Sequence, residues 1–130
     1  MNLDDTVTGA SQERLRFVQH KGHAIFVVDF SNCSAAEMLL LIEQIRSIVA
    51  RHPHNSMLTL ADFNGAEIDK KVATRMKEVL TLDRPYVKRS AWVHAESVPH
   101  VFYENIKSFS QREIPIFKTR EEAMDWLVPE

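Results

Sequence analysis

Ala24-Ile25-Phe26-Val27-Val28 stops at Asp29 and Ser31-Asn32. Met57-Leu58-Thr59-Leu60-Ala61 stops at Asp62 and Asn64-Gly65. Ala91-Trp92-Val93 stops at His94 and Glu96-Ser97. Each is a short apolar run, then a polar turn, then a stretch with helical spacing. Strand, turn, helix, repeated, is the pattern of an α/β domain with parallel strands. Ligands of open parallel sheets sit at the carboxyl ends of the strands, and here those ends carry Asp29, Asp62 and His94.

The flanking sequence completes the order. Leu15-Arg16-Phe17-Val18 alternates, and Lys21-Gly22 offers a tight turn into the next strand, so the first pair is expected to be an antiparallel hairpin. Ser34 and Glu37 form a capping box ahead of Met38, Leu41, Ile42, Ile45, Ile48 and Val49, which keep the 3.6-residue period until Pro53. A second helix follows Asp69, with Val72, Met76, Val79 and Leu80 on one face, and closes at Arg84-Pro85. A third begins at Pro99 and is read with Val101, Phe102, Ile106 and Phe109 inward. Pro115 cannot donate to a ladder, so Ile114-Pro115-Ile116-Phe117 reads as an edge strand. Thr119 and Glu122 form a second capping box, before a helix with Ala123, Met124, Trp126 and Leu127 on its apolar side.

The chain has 130 residues, enough for one domain with a real core. Residues 1–12 are read as a flexible amino-terminal segment and 13–130 as a single domain. With 45% hydrophobic and 26% charged residues the composition is that of a globular protein, and a net charge of -2 gives no reason to expect nucleic acid as a partner. No apolar run approaches the ~20 residues of a membrane span. Met1-Asn2-Leu3-Asp4-Asp5 lacks a signal pattern, and Cys33 is the only cysteine, so a cytoplasmic location without disulfides is expected.

The chain resembles the SpoIIAA-like family, whose relatives include the STAS domains. The resemblance is carried by Val28-Asp29-Phe30-Ser31, Leu58-Thr59-Leu60-Ala61-Asp62, Pro85-Tyr86-Val87-Lys88-Arg89-Ser90-Ala91 and the stretch from Phe117 to Leu127. It implies a β-α superhelix, a mixed and mostly parallel sheet of about five strands with four helices, those helices mainly on one face. It also implies a non-enzymatic module for protein interaction or small-ligand sensing. Anti-sigma-factor antagonists of this kind carry a phosphorylated serine at the start of the helix after the third strand. Matching that turn to Ile68-Asp69-Lys70-Lys71 puts Lys70 at that place, and no serine lies between Leu58 and Leu82. The serine switch is therefore not expected in that form.

The expected interaction rim is Asp29, Ser31, Asn32, Asp62, Asn64, Lys70, His94 and Glu96, gathered at the strand ends. A sheet with one uncovered face also needs a partner surface, so Phe26, Thr59 and Trp92 are read as a homodimer interface on that open side. The partner is an unspecified regulatory protein or small molecule, with no cofactor and no metal. Two other readings stay open. One is a Sec14-like carrier holding an apolar ligand between sheet and helices. The other is a small hydrolase or redox enzyme using Cys33, at a helix start where a thiol can be activated, or the Asp62–His94 pair. Against the latter, Asp and Asn at strand ends make ordinary turns, and free cysteines are mostly small buried hydrophobes.

Overall fold

The computed structural model describes residues 13–129. The expectation of a flexible segment over 1–12 lies outside the described residues. Along the chain run β1 (Leu15–His20), β2 (His23–Asp29), α1 (Ala35–Val49), β3 (Met57–Asp62), α2 (Lys70–Asp83), a 3-10 turn (Arg84–Tyr86), β4 (Val87–Val93), α3 (His100–Ser110), β5 (Ile116–Phe117) and α4 (Arg120–Leu127). The five strands lie in the sheet in sequence order. β1 pairs antiparallel with β2, and every other pair is parallel. This is the α/β arrangement expected from the repeated strand-turn-helix pattern.

Capping chemistry starts the helices where the sequence places it. Ser34 Oγ accepts from Glu37 N and Glu37 Oε1 accepts from Ser34 N, a complete box. Asp69 Oδ1 accepts from Val72 N at the start of α2. Thr119 Oγ1 accepts from Glu122 N, but Glu122 bonds back to the Thr119 hydroxyl rather than its backbone, so this cap is half a box. Such caps each contribute about 1 kcal/mol.

Helices α1, α2 and α3 pack on one face of the sheet, over Phe26, Val28 and Trp92. Short α4 packs on the other, over Ile25, Val27, Leu58, Leu60, Ala91 and Val93. β2 is apolar on both sides because both of its faces are covered. Two expectations are corrected here. Phe26 and Trp92 do share a face, but it is the face beneath the helices, where they are 1% and 2% exposed, so they form no interface. Trp92 is held there by Phe63 at 4.5 Å and Tyr103 at 5.4 Å between ring centroids. Thr59 is on the same inner side, its hydroxyl 2.8 Å from Ser90 Oγ. The other correction is in α3: Val101 is 71% and Phe109 54% exposed, and the inward side is Phe102 and Ile106. Phe102 meets the Trp92 ring at 6.4 Å between centroids, so the i, i+4 pair is the side of α3 turned to the sheet.

β4 is irregular. Met57 pairs with Val87, but Leu58 pairs with Arg89, which leaves Lys88 as an extra residue. β5 is only two residues long and pairs with Trp92 and Val93. The outer edge of β4 before Trp92 is thus left without a partner strand among the described residues.

Candidate functional site

The strand ends do come together, through structural bonds. Asp29 and Asp62 are register partners in adjacent parallel strands. Asp29 Oδ1 accepts from Ser31 N and Asp62 Oδ1 accepts from Asn64 N, so each carboxylate closes the turn that follows its strand. Arg120, the first residue of α4, reaches across both. Its Nε and Nη2 each lie 2.9 Å from Asp62 Oδ2, and Nη2 lies 3.5 Å from Asp29 Oδ1. Arg14 Nη1 donates to the Asp29 and Ser31 carbonyls from the opposite side. Burial pushes the Asp29 carboxyl up, but hydrogen bonds from Ser31, with Arg120 and Arg14 nearby, outweigh it and hold it below the ordinary carboxylate value.

Asp62 is 4% exposed and spends its carboxylate on Arg120 and Asn64. The expected Asp62–His94 pair is therefore corrected: the partner of Asp62 is an arginine. His94 sits one residue past β4 with φ +53°, half-buried. Ser31 is half-buried, while Asn32, Asn64, Lys70 and Glu96 are exposed. The turns after β2 and β3 are zipped by backbone bonds, Asn32 N to Asn64 O at 2.8 Å and Glu67 N to Cys33 O at 3.0 Å. Cys33 is buried beneath this zip, and burial is the main reason its thiol stands above its ordinary value. That is the reverse of an activated nucleophile.

The space between the sheet and α1–α2 is a cavity of about 70 Å³, apolar along Phe26, Ile42 and Met76 and polar at the end marked by Asp83 and Arg112. This is room for roughly two waters, whereas ligand pockets run to about 300–1,000 Å³. A lipid-sized guest does not fit, so the carrier reading loses its site.

An open site lies elsewhere, at the amino end of β4. The unpaired edge of that strand borders a slot of about 330 Å³ lined by Arg84, Lys88, Arg89, Arg112, Glu113 and Trp126. Each part has a local cause. The 3-10 turn sets Arg84 at the mouth, and its Nη1 donates to Gln111 Oε1 at 3.4 Å. The bulge turns Lys88 out along the edge. Arg89 stacks over the Trp126 ring at 4.3 Å and donates to the Trp126 carbonyl. Arg112, half-buried just beyond α3, donates to Ser90 Oγ and to the Leu80 carbonyl. Burial lowers Arg112 to about 10, against the opposing attraction of Asp83 and with a smaller push from Arg84. None of these four cations has a carboxylate within 4.0 Å among the described residues. Sequence reasoning missed this slot. Pro85 to Ala91 stood out only for its resemblance, and the sole legible hint was Lys88-Arg89 within a strand followed by a proline-weakened edge.

No family model matches the chain, and no curated protein matches it. Among solved structures it is similar to an uncharacterised protein of the DUF3478 family from Shewanella loihica PV-4, described as having a SpoIIAA-like fold. The TM-score is 0.65 at 14% identity, covering 88% of this chain and 92% of that one. The likeness shows a SpoIIAA-like α/β fold, the architecture implied by the sequence resemblance. Among the described residues, no helix is long and apolar enough to cross a membrane.

Proposed function

We propose that the domain is a non-enzymatic STAS-like module that works by binding, either sensing a small ligand or contacting a regulatory protein. The observation that carries this reading is the Asp62–Arg120–Asp29 clamp. In an open parallel sheet the strand ends are where substrate would sit. Here their carboxylates are tied to α4 and to their own turns, and Cys33 is buried with its thiol held protonated. Groups committed to structural bonds are poor acid-base or nucleophilic catalysts. The chemistry left open to solvent is that of recognition.

The test is to incubate the purified domain with a small-molecule extract of cells and compare the extract before and after. The expected result is that no compound is converted, whether or not one is retained. Time-dependent conversion that disappears in Asp62→Asn or Cys33→Ala overturns the reading.

A further inference from the structure

We infer that the slot beside the amino end of β4 is a binding site for a small oxyanion with two or more negative charges, a phosphate monoester or a polycarboxylate. This rests on the reading of the domain as a binding module and names its site and ligand class.

Charge comes first. Arg84, Lys88, Arg89 and Arg112 line one concavity with a single carboxylate, Glu113, in a chain whose net charge is -2. Some cations of the fold are paired, Arg75 with Glu43, Arg120 with Asp62 and Lys21 with Asp125, and others stand singly along the surface. Buried Asp83 attracts Arg112 from its inner side, but four cations lining one concavity still repel one another, and an anion of two or more charges relieves the repulsion. A guanidinium offers paired donors that match carboxylate and phosphate oxygens.

The backbone adds a donor. Trp92 N donates to Pro115 O, so that residue turns its amide toward β5. In a parallel ladder residues two apart face the same side, so Ser90 turns its own N–H and C=O toward the slot. β5 begins too late to take them, its first residue Ile116 pairing with Trp92. The chain before it, with Pro115 unable to donate, diverges from β4 and leaves the gap.

Size and rigidity select a small molecule. A volume of about 330 Å³ suits a compact metabolite, and an added peptide strand would have to displace the Arg112 side chain from Ser90. Two of the cations are already fixed, Arg89 on Trp126 and Arg112 on Ser90 and the Leu80 carbonyl. Little ordering is left for the ligand to impose on them.

The test is an NMR titration of the isotope-labelled protein with inorganic phosphate, pyrophosphate and citrate at low salt. Saturable shifts are expected at the amides of Lys88–Ser90 and Gln111–Glu113 and at the Trp126 indole. Lys88→Glu, at an exposed bulge, is expected to weaken binding at least about tenfold. Arg16→Glu, exposed on β1 at the far edge of the sheet, is expected to leave it unchanged. The tighter arm, phosphate-type or citrate, assigns the ligand class. Arg112→Gln probes the inner end, read only if its spectrum remains folded. The inference is overturned by no saturable shift at about 10 mM of any probe, or by equal affinity in Lys88→Glu. The parent reading fails separately, by turnover in the extract experiment.

Discussion

Arg120 Nη2 lies 2.9 Å from Asp62 Oδ2, joining residues 58 apart in sequence and pinning the start of α4 to the end of β3. Asp62 is buried, and the register puts Asp29 beside it. Without the arginine, two adjacent carboxylates face each other with one of them shut off from water. Arg120→Ala is expected to cost about 3 kcal/mol, since breaking a buried pair strands a charge. Adding Asp62→Asn to that variant should restore most of the loss. Urea unfolding of the two single variants and the double closes the cycle. A loss under about 1 kcal/mol in Arg120→Ala would mean the clamp behaves as a surface pair.

Gly65 holds φ +72° in the turn after β3, and a Cβ there would clash with Asn32 Oδ1. The turn is tight because Asn32 N donates to Asn64 O, drawing the two loops together. Gly65→Ala is therefore expected to lose about 2 kcal/mol or more, from left-handed backbone strain and from the clash. Asn32 itself has φ +57°, which glycine tolerates. Asn32→Gly combined with Gly65→Ala should recover the clash but not the strain. Thermal unfolding separates the two parts, and full recovery in the double variant would remove the strain argument.

Trp92→Lys changes meaning with the face that Trp92 occupies. On an open face it would split a dimer and leave a folded monomer. Beneath α3, against Phe63, Phe102 and Tyr103, it buries an ammonium among aromatic rings. The expected outcome is loss of the fold, more than about 4 kcal/mol, seen as insoluble expression or a collapsed near-ultraviolet signal. A soluble, cooperatively folding Trp92→Lys protein would contradict the packing described for this face.

The contrast shows where sequence reading stops. Alternation places Phe26, Thr59 and Trp92 on one face, and the structure agrees. It cannot say which face is covered by three helices, because β2 is apolar on both sides. Capping boxes are local, so Ser34–Glu37 and Asp69 are legible. Arg120 reaching Asp62 is not, since only the closed sheet brings α4 to the carboxyl end of β3. The bulge at Lys88 is likewise invisible: it comes from matching Met57 with Val87 and Leu58 with Arg89, a matter of register between distant strands. The slot depends on that bulge, on the brevity of β5 and on Trp126, three features that no local motif links.

Asp83 supplies a pH-dependent prediction. It ends α2 almost fully buried, its Oδ1 3.3 Å from Arg46 Nη1, yet neither atom has a hydrogen-bond partner among the described residues. Burial raises its carboxyl from 3.8 to about 6, against the weaker opposing pull of Arg46, Arg112 and Arg75. Between those values the folded chain keeps a proton that the unfolded chain has released. Stability from this group is therefore greatest below pH 3.8 and falls as pH rises through about 6. Its size is on the order of 3 kcal/mol at most, from 1.4 kcal/mol per unit. Asp29 and Asp125, lowered from 3.8, lose their contributions below this window as pH falls, and Glu37 and Glu43, lowered from 4.5, begin to lose theirs within it, equally in wild type and in a variant at Asp83. Asp83→Asn cannot titrate, so its stability relative to wild type should climb between pH 4 and 6 and level off above. Denaturant unfolding of both proteins across that range gives the difference directly. A difference that stays flat within about 0.5 kcal/mol would show that Arg46 holds Asp83 ionised throughout.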